Sequence, residues 1–233
     1  VCARRLADFG ASVVKVEPPA QLGGDPMRHY APDYYQVLHA RLEVHSIDLK
    51  QQRPALDALL ADADVLLTSQ REPALQRLGL DWAALSAAFP RLCRIAIVGS
   101  RHDNDAGHDL TYITDAGIAM PPQLPATLVA DLAGAERAVA ATFAALRLRD
   151  RSGRGHEAVV ALEDAAHAFA APMKLGLTAA GQILRGGHPG YNFYPASDGW
   201  VALAALEPHF AARVQAASCV PFTRPELTAF FSR

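Results

Sequence analysis

The sequence sets an imidazole beside a carboxylate at His108 and Asp109, in the run "GHDLTY". A lone carboxylate, Asp131, follows in the apolar run "LVADLAGAERAV", and Glu207 closes the apolar run "WVALAALE" ahead of Pro208. Histidine titrates near physiological pH, which makes His108 a natural partner for a carboxylate in proton transfer. Asp131 precedes a helical pattern over Leu132 to Leu148, which predicts an N-cap. That role is compatible with chemistry, because free N–H groups at a helix start keep a carboxylate ionised and fit to act as base or nucleophile. Asp109 is read as the cap of the helix that follows it, or as the group that orients the His108 ring. Each residue also has an ordinary reading: a cap, a solvated loop histidine, a charge at a strand end.

The surrounding elements alternate. "ARRLADFGASVVKVEPP" predicts a helix closed by Gly10 and a buried strand from Ser12 to Val16, stopped by Pro18-Pro19. The next unit predicts a short strand, a helix through Leu60 and a strand over Val65 to Thr68. A third has Asp81 as N-cap, a helix to Phe89 and a strand over Cys93 to Val98. This alternation argues for an α/β fold with a mostly parallel sheet and flanking helices, Rossmann-like in its large domain. Ligands of such sheets bind beyond the carboxyl ends of the strands, where the loop "GSRHDNDAGHD" falls. Further on, "HEAVVAL" reads as a strand and Asp164 to Gly176 as a helix. "GQILRGGHPGYNFYPASDG" reads as a linker with turns, ahead of a strand from Trp200 to Leu206 and a helix after Pro208. A large domain over 1–180 and a linker with a brief second α/β unit over 181–233 follow from this pattern.

At 233 residues, 51% of them hydrophobic, the chain can bury a proper core. A net charge of −2 with no basic stripe excludes a nucleic-acid surface. The basic run "RLRDRSGRG" is read as the end of a helix, where positive charge complements the dipole. Three separated cysteines without CxxC spacing point to a reducing compartment, and no apolar run approaches the ~20 residues of a membrane span. A cytoplasmic protein is expected. "LGGD" and "RGGHPG" lack the spacing of phosphate-binding loops, and no histidines stand in HxxxH or HxH order, so no metal site is expected.

"RRLADFGASVVKVEPPAQLGGDPMR" is similar to the opening of the class III CoA-transferases, the CaiB/BaiF family. The resemblance continues, in order, through "SIDLK", "LQRLGLDWAALSAAFPRL", "AGHDLTYITDAG", "VADLAGAERAVAATFAALRLRDRSGRG" and "YNFYPASDGWVALAALEPHF". It implies a large and a small domain, a homodimer of interlocked chains, and an acyl thioester of coenzyme A as substrate, with no permanently bound cofactor. In the family's racemase branch, whose "GHD" and "LEP" are both present, it implies His108, Asp131 and Glu207 as the catalytic set for 1,1-proton transfer at the thioester α-carbon. Backbone N–H groups at the start of the 132–148 helix would then serve the enolate oxygen. In the transferase branch it implies an acyl anhydride on Asp131. It also implies Arg28, Arg71, Asp109 and Tyr112 as contacts of the CoA moiety, Arg28 as a phosphate partner. The runs "HARLEVHS" and "QREPALQR" depart from the family's CoA-contact stretches and favour a third reading, a non-catalytic relative acting as a binding or partner subunit.

Overall fold

The computed structural model describes residues 1–102 and 107–233. Residues 103–106, in the middle of the loop expected to lie at the strand ends, fall outside the described residues. Two compact units are present, Val1–Ala168 and Phe169–Arg233. The division lies inside a helix, ahead of the boundary near 180 that the turn-rich stretch suggested.

The first unit runs α1 (Cys2–Asp8), β1 (Val14–Glu17), α2 (Met27–Tyr30), α3 (Pro32–His39), β2 (Glu43–Ser46), α4 (Arg53–Asp62), β3 (Val65–Thr68), α5 (Glu72–Arg77), α6 (Trp82–Ala88), β4 (Cys93–Val98), α7 (Asp109–Asp115), α8 (Val129–Ser152), β5 (Glu157–Ala161) and α9 (Leu162–Lys174). Strands β1 and β2 pair in parallel, and β3, β4 and β5 form a parallel sheet in that order. Parallel strands flanked by helices are the expected class. β3 and β4 match their predicted bounds, and Asp81 caps α6 by accepting the Ala84 N–H at 3.1 Å. β1 lies two residues later than predicted at its start and ends on Glu17.

Two clusters hold this unit. Cys93 and Ile95 on β4 pack with Ala138 and Val139 of α8, Val160 of β5 and Leu6 of α1. Leu56, Leu60, Leu75, Leu80, Leu85 and Leu92 form the second. Each fully buried leucine or isoleucine contributes roughly 1.5–3 kcal/mol, so β4, buried over its first four residues, anchors the sheet. α8 is longer than expected: it starts at Val129, not Leu132, and closes on Gly153, whose left-handed φ of 74° a side chain would strain.

The second unit, besides the last turns of α9, contains β6 (Tyr191–Ala196), β7 (Gly199–Ala204), α10 (Pro208–Ser218) and α11 (Arg224–Phe231). β6 corrects the reading of 181–199 as linker and turns. It pairs antiparallel with β7 across Ser197-Asp198, and Tyr194 on β6 and Leu227 on α11 are buried. Among the described residues no helix is long and apolar enough to cross a membrane.

Candidate functional site

His108 is the N-cap of α7, in extended backbone, and its side chain is exposed. Its N–H donates to Thr111 Oγ1 at 3.1 Å, and the Thr111 hydroxyl donates back to the His108 carbonyl at 2.7 Å. This exchange fixes the chain's entry into α7 through Thr111 and leaves the imidazole out of the cap.

Asp109 is the first helical residue of α7 and is buried, 5% exposed. Its Oδ1 accepts the N–H of Asp131 at 3.1 Å. The expected cap is therefore displaced: contrary to the expectation, Asp109 does not cap its own helix but satisfies an orphan N–H at the start of α8. Asp131 is correspondingly not an N-cap. Leu128 holds that position, with no side-chain acceptor to offer, and Asp131 is the third residue of the helix.

The half-buried Asp131 carboxyl titrates above the usual aspartate range. Desolvation is the main cause, the neighbouring Asp109 charge adds to it, and the His108 imidazole opposes it. All three side chains thus act on one point, where the starts of α7 and α8 meet. A carboxylate raised in this way is a stronger base than an exposed aspartate. Tyr112, one turn into α7, lies over Gly107: a Cβ there would fall 2.5 Å from Tyr112 Cζ and 2.6 Å from Cε1.

Glu207 lies in the second unit, as the exposed N-cap of α10, where its carboxylate makes no capping bond. Arg71, past the carboxyl end of β3, is the exposed N-cap residue of α5. Arg28, on α2, is held by a partner that the sequence reading missed. Its Nε and Nη2 donate to Glu17 Oε1 at 2.9 and 2.7 Å, and its guanidinium lies 4.2 Å from the centre of the Tyr35 ring.

Glu17, at the carboxyl end of β1, is saturated. Its Oε2 accepts from the Tyr35 hydroxyl at 2.9 Å and lies 3.0 Å from Lys15 Nζ, which also pairs with Asp25. Burial pushes the Glu17 carboxyl up, but the bonds from Lys15, Arg28 and Tyr35 together hold it below the ordinary glutamate range. The signal for this cluster was present in the alternation of Lys15 and Glu17 along one strand face, ending at the carboxyl edge of β1. The part played by Tyr35 was not readable, since it depends on α3 folding back over β1.

The sequence matches CoA-transferase family III over residues 1–229. It is 32% identical to α-methylacyl-CoA racemase of Homo sapiens over 90% of this chain and 58% of that protein. It is 30% identical to succinyl-CoA–D-citramalate CoA-transferase of Chloroflexus aurantiacus over 88% of this chain and 57% of that protein. The chain thus spans less than two thirds of the length of these curated relatives. Among solved structures, a CaiB/BaiF family protein of Brucella suis superposes with a TM-score of 0.75 at 26% identity, covering 94% of this chain and 65% of that one. A hypothetical protein of Mycobacterium tuberculosis does so with a TM-score of 0.78 at 25% identity, covering 97% and 65%.

Proposed function

The chain belongs to CoA-transferase family III, and from that premise we propose that it acts on acyl-CoA thioesters by 1,1-proton transfer at the α-carbon, as a racemase. The observation that carries this reading is the meeting of His108 and a buried-carboxyl-backed Asp131 at the starts of α7 and α8. Inverting a carbon through its enolate needs two groups of matched basicity. One takes the α-proton from one face, and the other returns a proton to the opposite face. Burial and the Asp109 charge raise the Asp131 carboxyl above the ordinary aspartate range, which makes it a stronger base and narrows its distance from an imidazole.

The developing enolate oxygen needs donors. Because the Asp131 N–H is committed to Asp109, the proposal assigns that task to the N–H groups of Val129 and Ala130 in the first turn of α8. Glu207 enters as the third member of the set, from the same chain or from the second copy in an interlocked homodimer. Arg28, Arg71, Asp109 and Tyr112 are assigned to the CoA side of the site. For Asp109 that assignment is indirect, through the position and basicity of Asp131. Coenzyme A enters only as part of the substrate.

A second reading is favoured by the relative that is named as a succinyl-CoA–D-citramalate CoA-transferase, which is 30% identical. Here Asp131 attacks the thioester carbonyl and expels the CoA thiolate to form an acyl–aspartyl anhydride. The thiolate then attacks the Asp131 carbonyl, releasing the first acid and leaving an aspartyl-CoA thioester. A second carboxylate displaces CoA to form a new anhydride, which the thiolate resolves into the new acyl-CoA and free Asp131. One experiment separates the two. The chain is incubated with a 2-methylacyl-CoA in heavy water, and deuterium at the α-carbon is followed by mass spectrometry. Racemase chemistry gives uptake that His108→Ala and Asp131→Ala each reduce at least ~100-fold. Absence of uptake together with a substrate-dependent hydroxamate formed at Asp131 by hydroxylamine, read as a mass change at that residue, replaces the first reading with the second.

A further inference from the structure

We propose that Asp115, Glu163 and His167 form a binding site for a divalent transition-metal ion that clips the end of α7 to the first turns of α9. One ligand atom from each residue lies within 4.8 Å of those of the other two. His167 Nε2 stands 3.1 Å from Asp115 Oδ2. Two ligands bound to one zinc ion at ~2.0–2.2 Å are roughly 3–3.5 Å apart. The histidine and aspartate already have that separation, and a Glu163 carboxylate oxygen lies within 4.8 Å of both ligand atoms.

Glu163 and His167 are four residues apart on α9, so one helical face presents both without backbone adjustment. Asp115 is supplied by the last residue of α7. That explains why histidine spacing in the sequence gave no sign of a metal site: the ligands come from two helices and include a single histidine. The charge balance points the same way. Two carboxylates converge on one imidazole, so even a protonated ring leaves the cluster negative, and a dication neutralises it. An imidazole among oxygen ligands suits zinc or a neighbouring first-row ion, whereas magnesium and calcium take oxygen ligands alone. The Asp115 and His167 side chains are 70% and 37% exposed, which gives an ion from solvent a direct approach and leaves coordination positions for water.

The site would brace α7, the helix whose start carries His108 and Asp109, from its opposite end. The test is zinc binding to the purified chain near neutral pH, by calorimetry and by metal analysis after dialysis. One ion per chain is expected, with an accompanying rise in melting temperature. Glu163→Gln and His167→Ala, checked for folding by circular dichroism, should each weaken binding at least ~10-fold and abolish the rise. No zinc bound by the wild type, binding unchanged in both variants, or a preference for magnesium would overturn the proposal.

Discussion

The carboxylate of Asp109 holds the backbone N–H of Asp131 at 3.1 Å, so a side chain that opens one helix caps another. This contact does two things at once. It satisfies an orphan donor of α8, and it places a negative charge beside the Asp131 carboxyl, adding to the upward push of desolvation. The two effects separate on substitution. Asp109→Ala removes both and is expected to cost about 1 kcal/mol in urea unfolding, the usual worth of a cap. Asp109→Asn keeps an acceptor oxygen and removes the charge, so it should retain most of the stability while the Asp131 carboxyl, followed by NMR titration, moves back down.

The raised Asp131 carboxyl also predicts a pH dependence of stability. A carboxyl whose folded pKa lies above its unfolded one favours the fold while protonated, and that contribution is lost as pH rises through the folded value. Asp131→Asn should therefore gain stability over the wild type at neutral pH and none below the ordinary aspartate range. Denaturation midpoints at the two pH values test this, and equal differences at both would remove the linkage.

Glu17 behaves in the opposite sense. Its carboxyl, and that of Asp25, titrate below their ordinary values because, against burial, Lys15 and the other donors favour the charged forms. Such groups stabilise the fold above the ordinary carboxylate range and lose that contribution as pH falls through their lowered values. Glu17→Gln should cost about 2 kcal/mol near neutral pH, on the order of one or two bonds to charged groups. The deficit should shrink as both proteins are acidified, visible as a flatter acid limb in a plot of midpoint against pH.

Strands β3 and β4 and the Asp81 cap were legible because their determinants are local: a short apolar run ended by Thr68 or Gly99, an acceptor side chain just ahead of a helix. β6 was hidden by composition. Its glycines, prolines and aromatics resemble turn sequence, although the Ser197-Asp198-Gly199 run that joins it to β7 is a hairpin signal. The candidate proton-transfer residues were legible by type and order, but their relationship was not. Asp131 looked like a cap because its side chain can serve as one. The acceptor that does the capping comes from α7, more than twenty residues earlier, and no periodicity reports a contact of that range. The Arg94 network is hidden for the same reason, as its partners lie on α5 and β5.

Arg94, the second residue of β4, is 3% exposed and is balanced by two carboxylates. Its Nη2 pairs with Glu72 at 2.8 Å and with Glu157, and Nη1 donates to the Leu80 carbonyl at 3.3 Å. Arg94→Ala leaves both carboxylates and the carbonyl without this donor and opens a cavity, which should cost about 3 kcal/mol. Arg94→Met combined with Glu72→Gln and Glu157→Gln keeps volume and removes the stranded charges, so it should recover most of that loss. Urea unfolding of both proteins measures the difference.

Gly107 precedes the His108 cap, and its backbone does not require glycine by conformation. Space is the constraint. A methyl group there would sit 2.5 Å from Tyr112 Cζ and 2.6 Å from Cε1, well inside carbon–carbon contact. The clashing atoms are the far end of the Tyr112 side chain, one turn into α7, which can make room by changing rotamer. Gly107→Ala is therefore expected to destabilise by about 1 kcal/mol, the low end for an overpacked position. The mechanism is specific enough to be tested by a cycle. In a Tyr112→Ala background the obstructing ring is gone, so the same Gly107→Ala change should cost close to nothing, and the coupling between the two should equal most of the single-mutant loss. If the cost of Gly107→Ala persists without the ring, the strain lies in the backbone before His108 and the packing account fails.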